Sequence, residues 1–387
     1  MKLPEAREIE PFELASRLEA GDPIRVLDVR APLRLAAGRV DPVPADRFHN
    51  IRGSEFVRLA DPASAIGLDP ADPVAVVCGN GNDSRVIAAL LEGRGYEAWS
   101  LRGGVTAWMR MVIPRELTPP ADFGRLIQFD RIGKGALGYL LVAGDEALAI
   151  DPPRDWDPWP EAASASGARI VAVADTHVHA DYISGAPDLS RDQGVPYYLH
   201  PADNVWPYDE TPGRLEFEPL SDGMELSIGG RAVVAHHTPG HTEGSTTFVA
   251  GDLRGAGVAF TGDFLFIESI GRPDLAGRME EWTGDLWRSL ERARDEWGPQ
   301  VRLLPAHYGE GERNVDRTVD RAFGETREAS ATLRIETEDE FRAWVESHVS
   351  DPPEAYPHIK AINVGLAEVT PQQADVLEAG KHECAVG

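Results

Sequence analysis

Cysteine is almost missing from this chain: two, Cys78 and Cys384, in 387 residues. Thiols so few and so far apart argue against a disulfide-stapled extracellular scaffold, and free thiols in a cytoplasmic setting are the expectation. Lysine is nearly as scarce, with Lys2, Lys134, Lys360 and Lys381 its only four representatives. Arginine supplies the other basic side chains, and a formal net charge of −26 argues against binding to nucleic acid or to anionic membranes. Long apolar runs are absent too. The longest candidate, Ala136–Ala143, has the length of a strand and falls far short of a bilayer-crossing helix. No basic-then-apolar leader is seen, so no export signal is expected. What is present, 42% apolar and 26% charged residues, is the make-up of a globular chain with room for two or three domains.

The stretch Thr176–His177–Val178–His179–Ala180–Asp181–Tyr182 organises the rest. It follows Ile170–Val171–Ala172–Val173–Ala174, an apolar and β-branched run that predicts a buried strand. Two imidazoles spaced i, i+2 just past a strand end sit on a loop, where ligands can converge. Val178 and Ala180 between them can pack inward and hold the loop still. Histidine is the commonest metal ligand, and Asp181 makes a mixed nitrogen and oxygen site plausible. Alone, the motif also fits a polar loop with two solvated histidines. Three later loops repeat the arrangement: Thr238–Pro239–Gly240–His241–Thr242, Thr261–Gly262–Asp263–Phe264 and Leu303–Leu304–Pro305–Ala306–His307. Each sets one His or Asp beyond an apolar segment, with Gly or Pro allowing a tight backbone. Four such loops at the edge of one sheet core make a strong joint signal.

Nearer the N-terminus, Ile24–Val29 and Val74–Val77 predict strands, the second ending at Cys78. Gly79–Asn80–Gly81–Asn82–Asp83–Ser84 then forms a tight polar loop before a helical pattern from Arg85 to Leu91. The backbone N–H groups of such a loop, with the helix dipole behind them, favour an anion on the sulfur. Asp28–Val29–Arg30, the Cys78 loop and Leu101–Arg102–Gly103–Gly104 through Trp108 resemble, in order and spacing, a rhodanese domain. The resemblance makes Cys78 the nucleophile that carries a sulfane sulfur as a persulfide. It also marks a departure, because Gly79 and Asp83 stand where that family usually has cations. Asp83 would oppose the anionic sulfur, so either the backbone cradle compensates or the domain is structural or regulatory. The expected divisions are a rhodanese-like domain over residues 1–112 and a linker over 113–124, marked by Pro114, Pro119 and Pro120.

From about Arg125 the pattern turns to short strands at Arg125–Ile132, Leu137–Ala143, Ala147–Ile150, Met224–Ile228, Ala232–His236, Thr246–Val249 and Val258–Phe260. A helix is predicted over Met279–Trp297, whose apolar stripe at three- and four-residue spacing is core. Asp151, His177, His179, Asp181, His241, Asp263 and His307, in that order, resemble the ligand set of the metallo-β-lactamase superfamily. The resemblance implies a metallo-β-lactamase αββα sandwich over residues 125–325, with metal at the outer sheet edges. The whole is then α/β, an N-terminal rhodanese-like domain followed by that sandwich. Residues 326–387 are expected to be a C-terminal helix and tail packed on the metal domain. Thr337 and Glu340 form the signature of a capping box opening that helix.

Tyr182 occupies the position where many members of the superfamily carry a further histidine, and a phenol is a poor substitute in a second metal site. What assembles most readily is two histidines and a carboxylate with open positions, the facial triad of non-haem Fe(II) oxygen chemistry. Together with Gly271–Arg272–Pro273–Asp274–Leu275, the loops resemble most the persulfide dioxygenase family. That resemblance implies His177, His241 and Asp263 on one Fe(II) per chain, with Zn as the alternative. His179 and Asp181 become orienting partners or weaker ligands, and His307 and Tyr308 line the pocket, with Tyr182 beside it. Arg272 is the candidate for the substrate anion, or else a structural ion pair. His200, His236, His348, His358 and His382 have no matching partners nearby.

The implied reaction oxidises a low-molecular-weight thiol persulfide, glutathione persulfide or an analogue, with O2 to sulfite and thiol. The rhodanese-like domain would handle sulfane sulfur beside it, with thiosulfate as a further donor. Two other readings stand: a zinc thioester hydrolase of the glyoxalase II type, and a non-catalytic persulfide-sensing or sulfur-relay protein. No nucleic-acid or membrane partner is expected, and a homodimer is compatible with the sequence. The thiol carrier is left open.

Overall fold

A computed structural model describes residues 6–59 and 61–386. The chain divides into two compact units. The first comprises residues up to Ile113 together with the short segments Arg131–Lys134 and Ala379–Lys381, and the second holds the remainder. The expected domain limits at residues 1–5 and 387 lie outside the described residues. Among the described residues, no helix is long and apolar enough to cross a membrane.

The first unit is built on Val74–Val77, every residue of which is buried. It lies at the centre of an all-parallel sheet of five strands, in spatial order Glu8–Ile9, Ala98–Leu101, Val74–Val77, Arg25–Asp28 and Phe48–Asn50. Side chains alternate between two cores, as the period of two requires. Val26, Ala75 and Val77 join Trp108 and Met109 on one face, while Leu27, Val74 and Val76 join Ile87 and Leu91 on the other. A parallel sheet covered on both faces explains why its strands read as unbroken apolar runs. The helix Asn82–Glu92 begins three residues before the pattern predicted, because Gly81 at φ +88° lets the chain turn straight from strand to helix.

The second unit contains two packed sheets. One has seven strands in the order Glu218–Pro219, Tyr197–Leu199, Arg169–Ala174, Glu146–Ile150, Ala136–Ala143, Arg125–Arg131 and Ile113–Leu117. The other has six, in the order Glu225–Ile228, Arg231–His237, Thr246–Ala250, Val258–Gly262, Arg302–Pro305 and Arg321–Ala322. A single apolar core lies between them, with Leu137, Tyr139 and Leu141 of the first meeting Leu226, Phe248 and Phe260 of the second. Tyr139 and Phe260 meet edge to face at 5.1 Å. Helices cover the outside. Pro158–Ala165 is anchored by Trp159, which stacks on Phe129 at 3.8 Å and donates to the Tyr139 carbonyl. Met279–Glu296 buries Leu286, Leu290 and Ala293, the stripe visible in the sequence. This is the αββα sandwich.

Two expectations are corrected. Part of the supposed linker, Ile113–Leu117, is the edge strand of the seven-stranded sheet, with Ile113 and Leu117 buried. Pro114 is tolerated there because an edge strand has one side without ladder partners, so the missing N–H costs little. The tail is more than one helix: Glu338–His348, Tyr356–Asn363 and Pro371–Leu377 are helical, and Ala385–Val386 pairs antiparallel with Ile270–Gly271. Thr337 does cap its helix, accepting from the Glu340 N–H at 3.4 Å. The complete reciprocal box is at Thr370 and Gln373, a signature equally plain in the sequence.

Candidate metal centre

The strand Glu146–Ile150 ends at Asp151, whose φ of +51° turns its carboxylate to the start of the histidine loop. There it accepts from the Thr176 N–H at 2.7 Å and the Thr176 hydroxyl at 2.9 Å. The hydroxyl has one proton, and Asp151 takes it. His177 Nδ1, 2.9 Å from the same Oγ1, must therefore be the donor, which leaves the lone pair on Nε2. His241 is set the same way, because its Nδ1 lies 3.0 Å from the Arg272 carbonyl, which can only accept. Asp263 accepts from His307 Nδ1 at 2.7 Å through Oδ1, leaving Oδ2.

The three atoms so released converge. Asp263 Oδ2 is 3.6 Å from His177 Nε2 and 3.4 Å from His241 Nε2. All three lie within 4.8 Å of one another, and none has a hydrogen-bond partner. Buried polar atoms almost always find partners, so three lone-pair atoms facing one another without a proton to share form a donor set for a cation. Two imidazole nitrogens and a carboxylate oxygen are a donor set that suits a divalent transition metal. Burial holds the His241 pKa well below its ordinary value, which keeps the ring neutral as a ligand requires. Burial opposes the charge on Asp263, yet chiefly the adjacent His307 holds its carboxyl well below the usual range. Gly271 is required here: a Cβ would lie 1.7 Å from the Asp263 carbonyl oxygen.

The other expected site residues fall into different roles. His307 has Nδ1 on Asp263 and Nε2 3.0 Å from Asp181 Oδ2, so both nitrogens donate to carboxylates. Burial works against that cation, but Asp181 and Asp263 outweigh it and push its pKa up to about 10. His307 thus holds two carboxylates in place, and it is fully buried rather than pocket-lining. Tyr308 does line a cavity of about 410 Å³, with Phe266, Glu268, Glu312, Trp344 and His382. His382, expected to lack partners, stacks on His307 at 4.5 Å and has Nε2 2.9 Å from the Tyr308 carbonyl. His179 turns from the trio toward Asp151 and Asp175, with Nε2 2.9 Å from the Tyr182 hydroxyl. Tyr182 is 1% exposed and stacks on His179 at 4.2 Å, so its contact is with that ring.

Arg272 is the clearest correction. It is 2% exposed and its guanidinium grips Asp274 at 2.8 and 2.7 Å, with the Glu383 and Ser350 carbonyls completing its bonds. It is therefore a structural ion pair, turned to Asp274 and the two carbonyls; its backbone carbonyl is what reaches the site. Two residues escaped sequence reasoning altogether. Asp203 accepts from the Val178 N–H at 2.7 Å, the Thr242 hydroxyl at 2.9 Å and the Gly244 N–H at 2.7 Å, bolting two ligand loops together. Asn363 donates to the His179 and Tyr182 carbonyls at 2.9 and 2.8 Å. Neither has a local signature.

In the first unit, Cys78 stands at the end of its strand and is 2% exposed. Its Sγ accepts from the Gly81 N–H at 3.1 Å and lies 3.3 Å from Ser84 Oγ, itself 2.8 Å from Ser100 Oγ. Asp83 is exposed, and the sulfur's contacts are with the backbone cradle and the hydroxyl pair.

Fold and site define an αββα protein with a metal-ligand constellation at one sheet edge, preceded by a parallel α/β unit with a loop cysteine. Residues 133–324 match the metallo-beta-lactamase superfamily, and residues 10–111 match the rhodanese-like domain. An uncharacterised protein of Mycobacterium tuberculosis (strain H37Rv) is 38% identical over 198 residues, which cover 44% of this chain and 84% of that protein. The hydroxyacylglutathione hydrolase of Acidiphilium cryptum is 35% identical over 167 residues, covering 43% of this chain and 62% of the hydrolase. The crystal structure of ETHE1 from Myxococcus xanthus superposes with a TM-score of 0.50 at 22% identity, over 65% of this chain and 99% of that one, a likeness of fold. The chain belongs to the metallo-beta-lactamase superfamily, a superfamily of metal-dependent enzymes, and carries a rhodanese-like domain ahead of that fold.

Proposed function

We propose that this protein is a persulfide dioxygenase that oxidises a low-molecular-weight thiol persulfide at a mononuclear non-haem Fe(II) site. The net reaction converts R–S–SH, O2 and H2O to R–SH, sulfite and two protons. The outer sulfur is oxidised, O2 is reduced, and the S–S bond breaks. The observation that carries the reading is the count of ligand atoms: His177 Nε2, His241 Nε2 and Asp263 Oδ2 lack partners together, while both nitrogens of His307 are engaged with carboxylates. Tyr182 on His179 occupies the place of a further ligand. Three protein ligands leave positions for a substrate sulfur and for oxygen, and a bound Fe(II) would supply the electron chemistry.

The chain's own residues do the positioning. Asp151 and Thr176 fix the His177 tautomer, the Arg272 carbonyl fixes that of His241, and the His307 cation keeps Asp263 ionised. Burial of all three ligands keeps water from competing for the donor atoms. Cys78, in its cradle of N–H and hydroxyl groups, would accept a sulfane sulfur in the other unit.

Oxygen uptake with glutathione persulfide, on protein shown by metal analysis to hold about one iron per chain, tests the reading. No uptake by the iron-loaded protein overturns it. The similarity to a hydroxyacylglutathione hydrolase favours a second reading, thioester hydrolysis with zinc. Two zinc ions per chain and thioester turnover would establish that one instead.

A further inference from the structure

His179, the second imidazole of the histidine loop, stands beside the trio without joining it. Its ring centroid is 4.3 Å from that of His177, yet its Nε2 faces Asp151 Oδ1 at 3.3 Å and Asp175 Oδ1 at 3.9 Å. A lone pair on Nε2 would be repelled by two carboxylate oxygens, so the ring carries its proton on that nitrogen. Tyr182 Oη, 2.9 Å from Nε2, accepts the proton, and the phenol stacks on the imidazole at 4.2 Å. A metal ligand needs a free lone pair, and this nitrogen presents a hydrogen instead.

Asp175 is 2% exposed. Its Oδ2 accepts from the Ser184 hydroxyl at 2.7 Å and the Tyr197 hydroxyl at 2.9 Å, while Oδ1 has no hydrogen-bond partner among the described residues. A buried carboxylate oxygen left unbonded is costly, and this one is aimed at the imidazole. Both oxygens of Asp151 already serve Thr176, so Asp175 Oδ1 and the Tyr182 oxygen are the groups directed at His179. The backbone of the loop is fixed separately. Asn363 donates to the His179 and Tyr182 carbonyls and accepts from the Ser184 N–H at 3.0 Å. With the main chain held in this way, side-chain partners decide which way the His179 ring faces.

We propose that Asp175 and Tyr182 are specificity-determining residues of the metal centre, which hold His179 off the metal and so keep the protein ligands to the trio. This rests on the reading of the trio as a centre of two histidines and one carboxylate. A third imidazole would complete the kind of four-ligand set that closes a zinc site. With His179 turned away, positions stay open for a substrate sulfur and for oxygen. Asp175 and Tyr182 act through His179, and they are therefore positioning residues.

The test counts ligating imidazoles by pulsed electron paramagnetic resonance in the full chain loaded with Fe(II), with nitric oxide as the spin probe. Wild type should show His177 and His241 alone. Tyr182→Phe removes the acceptor, and Asp175→Asn replaces a facing carboxylate by an amide. Together they should add one imidazole to the count, and His179→Ala placed on top of them should take it away again. Zinc affinity, measured against a competing chelator, should rise about 10- to 100-fold in the double variant and fall back in the triple one. A wild type that already shows a third imidazole overturns the proposal. So does a double variant with the wild-type count, or a gain in zinc affinity that survives His179→Ala. A second zinc ion in wild type that Asp175→Asn removes also overturns it, because Asp151, Asp175 and His179 would then form a metal site of their own. If the double variant fails to fold, Tyr182→Phe, which loses only a hydroxyl, decides by the same count. The expected counts without oxygen uptake on glutathione persulfide defeat the dioxygenase reading alone. Oxygen uptake by a wild type with His179 on the metal defeats this proposal alone.

Discussion

His177 and His241 reach the same state by different means. A threonine hydroxyl already given to Asp151 forces one ring to carry its proton on Nδ1, and a backbone carbonyl forces the other. The ligand and its orienting partner therefore separate by mutation. His241→Ala or Asp263→Asn should lower metal content from about one per chain to a small fraction, read by elemental analysis. Thr176→Val keeps every ligand but frees His177, and zinc affinity measured against a competing chelator should fall about 10- to 100-fold. Arg272 makes the opposite case. Replacing this buried guanidinium by Met strands Asp274 and two carbonyls, and should cost about 3–5 kcal/mol in a denaturant titration. A loss below about 1 kcal/mol would return Arg272 to a role in ligand binding. The motif around Arg272 was legible in the sequence; the direction of its guanidinium was not, because that depends on Ser350 and Glu383, far along the chain.

At the scale of elements, strands and ligand loops were legible wherever the signal was local. Arg169–Ala174 ends beside Thr176–His177 because an apolar β-branched run cannot be solvated and a His-rich loop cannot be core. The edge strand Ile113–Leu117 was not legible, since three nearby prolines speak for a linker and only the neighbouring strand shows where its unpaired side lies. Histidine partners were equally hidden. His200 stacks on His237 at 4.1 Å, and its Nδ1 accepts from the Ala202 N–H at 3.3 Å. Burial first, and then the charge of His237, lower its pKa; burial and Arg292 do the same for His236. A histidine lowered in this way binds its proton less tightly when folded than when unfolded. Its stabilising contribution is present above about pH 6.5 and is lost as the pH falls through the lowered value. These two histidines therefore contribute a fall in the stability of the metal-domain unit between about pH 7 and pH 5.5, while His307, with its raised pKa, contributes in the opposite direction. His200→Asn, which keeps an acceptor for Ala202, should remove its part, so the difference in denaturation midpoint between wild type and variant shrinks from about pH 7 to pH 5.5. A wild type that gains stability on acidification relative to His200→Asn contradicts the sign.

For the whole molecule, two compact units with separate cores predict two unfolding events. The metal ligands all belong to the second, so chelation should lower the midpoint of one calorimetric transition and leave the other in place, by the linkage of binding to folding. Movement of both by the same amount would mean that they unfold as one.

What the sequence determined alone was the order of elements, the two-unit plan and the four loops that carry metal-ligand residues. Those follow from periodicity and from short motifs, which act over a few residues. Tertiary structure decided which lone pairs remain free, that His307 serves two carboxylates and that Arg272 is spent on its own scaffold. Each of these depends on groups brought together from distant parts of the chain, where hydrogen-bond valence and burial, and no local pattern, assign every proton its place.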